Sequence, residues 1–314
     1  MKPVVVVGDD GYARAIADFV TAVAARPSLL LSPDDPGLRR HMAAAEWIVE
    51  AAGQDPARKR RVLAHGASGG DAIVTSDASV ITRAELIAGL PPDFQQRHAV
   101  AHFFFPLKHC RLVELVTASA GSRPMDAERV AVLQGWLSAV LGRSVVRLPD
   151  YPGFCANRLG LFMIAAALSR GGETGADCAA IDRLAIPALG LARSGLFGTA
   201  DLIGLPTLAA LLSALVQRLP PDDPLQRHGP SALAALGQVE AAGVGRLIDR
   251  DRTAGRGFRF AGGPGAAEAD ARPETVIAAL ARDRDRYAAL VAGQNGIGAE
   301  ALGGIMRQSY GWDG

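Results

Sequence analysis

The apolar positions of this chain change period about halfway along it. Val4–Val7 is a continuous β-branched run ending at Gly8, the pattern of a strand covered on both faces in a parallel sheet. From Gly11 onward, YARAIADFVTAVAA has the helical period, with Ile16, Phe19, Val20 and Val23 on one face. Leu29–Leu31 predicts a second strand, Leu38–Ala45 a short polar helix, EWIVEAAG a third strand, Arg58–Ala64 a basic helix and AIVTSDAS a fourth strand. Strands alternating with short helices predict a doubly wound, Rossmann-like α/β sheet. A helix at Ala127–Leu141, the strand SVVRL and the break at Pro149–Pro152 close that unit. Beyond it the period-2 signal fades. Asn157–Arg170, Ala176–Leu189, Asp201–Arg218 and Ser231–Ala242 are Ala- and Leu-rich with a helical period, predicting an all-α second domain. Residues 254–272 are rich in Gly and Ala and predict a linker, and Glu274–Ala292 a last helix before a tail ending SYGWDG. The expected division is 1–149, a nucleotide-binding domain, 150–260, a helical domain, and 261–314, a linker with a helical extension.

Composition narrows the function classes. Thirty-three basic against 32 acidic residues leave a net charge of +1, so no nucleic-acid footprint is expected. Cys110, Cys155 and Cys178 are too few and too scattered for a disulfide framework or a zinc site, and no metal is expected. No run reaches about 18 uninterrupted apolar residues, so no membrane association is expected, and MKPVVVVGDDG enters a strand without a secretory leader. The expectation is a cytoplasmic protein.

The turn between the first strand and helix carries the first candidate chemistry. A dinucleotide fingerprint places three glycines as G-x-G-x-x-G, for the turn, for pyrophosphate approach and for helix–strand packing. Here the positions hold Gly8, Asp10 and Ala13, with Gly11 between the last two. Asp10 brings a carboxylate to the place where phosphates lie. The helix N-terminus still offers amides to an anion, or Asp9 or Asp10 caps them as an ordinary N-cap. Asp34 or Asp35 falls where an acid holds a ribose hydroxyl, although Asp before Pro-Gly is also turn chemistry. Glu50, closing the third strand, is a further cofactor-side candidate.

His102 and Glu114 stand twelve residues apart in AHFFFPLKHCRLVELV, on two apolar segments joined by a short connection. Adjacent antiparallel strands would bring an imidazole and a carboxylate within hydrogen-bonding reach. The carboxylate then fixes the ring and stabilises the charge it gains on taking a proton. Such a His removes the proton of a secondary alcohol while hydride leaves the same carbon for a nicotinamide. Asn157, opening a helix in PGFCANRLG, offers an amide to the substrate oxygen or to the His. Each residue also has an ordinary reading: a core histidine, a strand glutamate, a helix-capping asparagine.

Four segments, in order, carry a resemblance to the 3-hydroxyacyl-CoA dehydrogenase family over most of residues 1–260. HFFFP…LVE resembles the family's HFFNP…LVE, DYPGFCANRLG its D-x-PGF-x-x-NR, SGLFGTADLIGL the segment joining helices of its C-terminal domain, and TAGRGFRF its KTG-x-GFY. The resemblance implies His102 as catalytic base, Glu114 as its partner and Asn157 as an active-site amide. It further implies NAD as cofactor, a 3-hydroxyacyl-CoA as substrate and a homodimer formed through the helical domain. Three departures stand out. Asp10 replaces the central glycine, Phe105 replaces the Asn of HFFNP, and the NTSS turn is replaced by Thr75-Ser76-Asp77-Ala78-Ser79, making Ser76, Asp77, Ser79 and Phe105 the substrate-side candidates. The stretch before EWIVEAA is also shorter than the family's. Two readings follow: an oxidoreductase interconverting 3-hydroxyacyl- and 3-ketoacyl-CoA with a nicotinamide cofactor, or a non-catalytic acyl-CoA- or partner-binding protein that has lost NAD.

Overall fold

The computed structural model describes residues 2–24, 27–248, 257–260 and 272–312. They fall into two compact units, residues 1–154 and 155–314.

The first unit holds strands β1 (Val4–Val7), β2 (Ser28–Leu31), β3 (Trp47–Glu50), β4 (Ile73–Ser76), β5 (His98–Phe103), β6 (Leu112–Val116) and β7 (Ser144–Arg147). Its helices are α1 (Gly11–Ala24), α2 (Leu38–Ala44), α3 (Pro56–Ala67), α4 (Arg83–Ile87), α5 (Pro92–Gln95) and α6 (Ala127–Gly135). The strands form one sheet in the order β2-β1-β3-β4-β5-β6-β7. From β2 to β5 every pairing is parallel, β5–β6 is antiparallel and β6–β7 parallel again. Chain order reverses beside β1, which has β2 on one side and β3 on the other. In open α/β sheets that reversal opens a crevice at the carboxyl ends of the strands.

The β-branched run at β1 is fully covered on both faces, and Ala13, Ile16, Ala17 and Val20 of α1 pack on it. Val23 lies outside that stripe, 44% exposed on the last turn of the helix. The helix expected at Ala127–Leu141 is α-helical only to Gly135 and continues as a π-helical turn, Trp136–Val140. The widened turn lets the Trp136 ring meet Trp47 edge-on at 5.4 Å.

The second unit is helical: α7 (Ala156–Thr174), α8 (Cys178–Leu189), α9 (Phe197–Ile203), α10 (Leu205–Arg218), α11 (Leu225–Ala241), α12 (Pro273–Asn295) and α13 (Ala299–Ser309). The single helix expected at Asp201–Arg218 is two helices bent by 97°, because Gly204 adopts φ +88° and Pro206 opens the second. No single described helix is long and apolar enough to cross a membrane. The linker expected at 254–272 lies mostly outside the described residues. Of its surroundings, Ile248 bridges Gly257 and Asp177 bridges Arg259. In the expected extension after 261, α12 packs on α7 and α8 and buries Val276, Leu280, Tyr287 and Val291. The tail also forms α13, which buries Leu302, Ile305 and Met306.

One carboxylate organises the α8–α9 junction. Asp182, on the buried face of α8, accepts from the amides of Leu196, Phe197 and Gly198 at 2.7, 3.1 and 3.0 Å. Gly195 stands at φ +68°, and a Cβ there would lie 2.3 Å from the Asp182 carboxylate carbon, so this turn requires glycine. Asp182→Ala strands three buried amides and should cost about 3 kcal/mol, seen as a fall of roughly 10 °C in calorimetric Tm. Asp182→Asn, which keeps an acceptor oxygen, should lose visibly less.

Candidate active site

The antiparallel register of β5 and β6 sets His102 directly opposite Glu114. Both strands are buried along their whole length, so the facing side chains meet in the interior. His102 Nδ1 lies 2.9 Å from Glu114 Oε2, with the imidazole 3% exposed and the carboxylate fully covered. Phe104 meets the ring edge-on at 4.4 Å and Phe154 lies against it at 5.9 Å. Aromatic walls hold the ring and thin the solvent around it, which strengthens the pair's electrostatics. Glu114 engages Nδ1, so proton exchange between this ring and a substrate would run through Nε2.

Beside this pair, the carboxyl ends of β3, β4 and β5 carry a buried polar cluster. Glu50 closes β3, and Lys59 of α3 places Nζ 3.1 Å from both of its carboxylate oxygens. Lys59 also donates to the Asp77 carbonyl at 3.0 Å, and Ala52 N donates to Glu50 at 2.8 Å. Asp77, just past β4, accepts from Phe103 N at 2.9 Å. Burial pushes its carboxyl above the usual range, against the opposing pull of His102. Tyr12, at the start of α1, donates to the Phe103 carbonyl at 3.0 Å and packs on Phe105 at 4.5 Å. Burial raises its phenol well above its ordinary value, and Asp77 adds to the effect.

The glycine turn has one position that no other residue could take and one that is occupied. A Cβ on Gly8 would stand 2.4 Å from Ala13 Cβ and 2.5 Å from the Ala51 carbonyl oxygen, so Gly8 and Ala13 are where β1, α1 and β3 converge. Gly11 has open space around it. Asp10 turns its carboxylate onto the helix and accepts from Ala13 N at 2.8 Å, the N-cap alternative. Arg58 pairs with Asp9 and also feels the charges of Asp34 and Asp10.

Several expected residues find other partners. Glu50 is committed to Lys59 rather than open to a cofactor. Ser76 is fully buried with its hydroxyl 3.1 Å from His98 Nε2, so it drops out of the substrate side. Ser79 is half-buried and donates its amide to Gln54. Asp34 is exposed, with its amide on Ser32 Oγ, and Asp35 accepts from Gly37 N as a local turn. Phe105 is 44% exposed at the rim, in a cis peptide with Pro106. Asn157 belongs to the second unit, in the first turn of α7, where its Oδ1 accepts from the Tyr310 hydroxyl at 3.0 Å. Lys59 and Tyr12 were missed. Lys59 had a signal: it shares the i, i+3, i+4, i+7 stripe with Val62, Leu63 and Gly66, hidden within a run of arginines.

Known proteins resemble this chain in sequence and in fold. The sequence model described as 3-hydroxyacyl-CoA dehydrogenase, NAD binding domain, matches residues 36–150, and that of the family's C-terminal domain matches residues 153–244. Together they cover about two thirds of the chain. The chain belongs to the 3-hydroxyacyl-CoA dehydrogenase family. A probable 3-hydroxyacyl-CoA dehydrogenase of Deinococcus radiodurans is 35% identical over 152 residues, 48% of this chain and 43% of that protein. A putative fatty acid oxidation complex trifunctional enzyme of Rickettsia felis is 33% identical over 153 residues, 49% of this chain and 21% of that protein. The chain thus spans less than half the length of these curated relatives. Among solved structures, M. tuberculosis FadB2 superposes with a TM-score of 0.65 at 23% identity, covering 77% of this chain and 94% of that one. A (S)-3-hydroxybutyryl-CoA dehydrogenase from Ralstonia eutropha gives 0.63 at 23% identity, covering 83% of this chain and 99% of that one. Both likenesses bear on the fold.

The match to the NAD-binding domain begins at residue 36, so the turn at Gly8–Ala13 lies outside it. The crevice fits a nicotinamide dinucleotide where Gly8 and Ala13 draw strand and helix together. It conflicts at one atom pair, since a phosphate and the Asp10 carboxylate compete for the Ala13 amide. Asp10→Gly removes the competitor and, as a change at an N-cap, costs α1 only a few tenths of a kcal/mol. NADH should bind about tenfold more tightly to that variant in a calorimetric titration, the effect of removing one nearby negative charge. Unchanged affinity would place the obstruction in the short segment before Glu46.

Proposed function

We propose that this chain catalyses the interconversion of a 3-hydroxyacyl-CoA and the corresponding 3-ketoacyl-CoA with a nicotinamide cofactor, His102 acting as acid and base. The observation that carries the reading is the buried His102–Glu114 pair, set face to face by strand register within a Rossmann-like sheet. In the oxidative direction His102 Nε2 takes the hydroxyl proton, and Glu114 stabilises the positive charge that the ring acquires. The cofactor, when bound, accepts hydride from the carbinol carbon. In the reductive direction the same nitrogen returns the proton to the oxygen.

Asn157 is assigned as an active-site amide by its place in the PGF-x-x-NR segment, the role the family resemblance implies. The Tyr12–Phe105 pair, with Phe105 exposed, stands just past the end of β5, the strand that carries His102. An aromatic rim favours an apolar acyl group over a charged one. Homodimerisation through the helical unit accords with family membership and with the exposed Leu202 on α9.

The test is NADH consumption with acetoacetyl-CoA, followed by absorbance at the nicotinamide band. The wild-type chain should turn over, and His102→Gln should lower turnover by roughly 10²–10⁴-fold with Tm unchanged. Acyl-CoA binding without NADH consumption would replace the enzyme reading with that of a binding protein.

A further inference from the structure

Two side chains from separate segments hold the backbone of Phe103, the residue after His102. The N–H and C=O of one strand residue point to the same side, and that side alternates along the strand. Arg97, an even number of residues earlier, gives its carbonyl to Val74 of β4, so the backbone groups of Phe103 face the same way. There β4 is absent: it ends at Ser76, which pairs with Val100. Phe103 is buried, and two unpaired backbone groups in that place would be costly. Asp77, the residue after β4, accepts from Phe103 N at 2.9 Å through Oδ1. Tyr12, in the first turn of α1, takes the other group, its hydroxyl 3.0 Å from the Phe103 oxygen. A carbonyl only accepts, so the phenol is the donor.

Both holders are themselves fixed. Tyr12 stands in the glycine turn beside Ala13, which packs where β1, α1 and β3 converge. Its ring also rests on Phe105 at 4.5 Å, so one side chain meets β5 and the segment that follows it. Asp77 donates its own N–H to the Glu50 carbonyl at 2.8 Å and accepts from Lys59 Nζ at its carbonyl. Lys59 in turn pairs with the Glu50 carboxylate. Burial pushes the Asp77 carboxyl above its usual range, and an acceptor oxygen is all that the Phe103 amide requires of it. All of these residues belong to the first unit.

We propose that Tyr12 and Asp77 are positioning residues for catalysis: they clamp both backbone groups of Phe103 and so hold His102, its neighbour on β5, against Glu114. Phe103 is the last residue of β5, and a strand end left unpaired opens readily. The clamp keeps the imidazole within about 0.5 Å of one position, the tolerance of a catalytic group. The inference rests on the dehydrogenase reading, because there the placement of His102 sets the rate of proton transfer. It makes the glycine turn and the strand that bears His102 one construction, joined at Tyr12.

The test uses the full chain with NADH and acetoacetyl-CoA. Tyr12→Phe keeps the ring on Phe105 and removes only the hydroxyl. It should lower kcat about tenfold, the size of one hydrogen bond, with KM within about twofold and Tm within a few degrees. Calorimetric affinity for NADH should stay within about twofold, since the hydroxyl is engaged by Phe103. Added to His102→Gln, Tyr12→Phe should slow the enzyme no further, because the hydroxyl acts through that ring. Asp77→Ala should lower kcat as Tyr12→Phe does, and Asp77→Asn, which keeps an acceptor oxygen, should recover most of that loss. Wild-type kcat in Tyr12→Phe, NADH affinity falling in step with kcat, a multiplicative loss on His102→Gln, or Asp77→Asn as slow as Asp77→Ala would each overturn the proposal. Where the wild type turns over and His102→Gln is slowed, those outcomes sink this inference alone. No turnover by the wild type sinks the dehydrogenase reading and this inference with it.

Discussion

Glu114 sits at the centre of β6 with no solvent exposure, and much of the first unit is arranged around that fact. A buried carboxylate is expensive unless a partner offsets its desolvation, and an apolar side chain of similar volume is often as stable or more so. Folding alone therefore gives no reason for a glutamate here, between Val113 and Leu115 and opposite Val146. What makes it tenable is the single antiparallel pairing in the sheet. β5 and β6 reverse direction, which puts His102 across from Glu114 within 2.9 Å. The pair costs stability and confers chemistry, so its presence argues for function more strongly than either residue would. Glu50 and Lys59 repeat the pattern two strands away, a second buried ion pair that closes the carboxyl ends of β3 and β4.

The glycine turn shows the reverse economy. Asp10 is exposed and caps its own helix, so the fold gains from it while the pyrophosphate site loses. Gly8 behaves differently, because its missing side chain is needed wherever β1, α1 and β3 meet, with or without a cofactor. A fingerprint thus mixes positions held by packing with positions held by ligand. Here the packing positions are intact, and the ligand position is the one that differs.

That distinction also explains what the sequence could reveal. The alternation of apolar runs and helical stripes predicted all seven strands of the sheet and the helical second unit, because burial imposes those periods directly. The spacing of His102 and Glu114 was legible once both lay on strands. Features made by contact between distant segments were not. Ser76 looked like a site residue until its hydroxyl was found on His98. Lys59 looked like one more surface cation among arginines. Gly204 divides an apparently continuous Leu-rich helix through its backbone angle, which no periodicity records. Tyr310 lies 153 residues along the chain from the amide it touches.

Asn157 and Gly160 make the same point about the second unit. Read along α7, one is a helix-opening polar residue and the other a poor helix former, costing roughly 1 kcal/mol against alanine. Together they form a notch whose floor is a bare backbone turn and whose edge is a carboxamide oxygen. A phenol fits that notch and little else does, since its flat ring rests on the glycine while its hydroxyl reaches past it. The glycine's cost to the helix and the tyrosine's place in the tail explain each other.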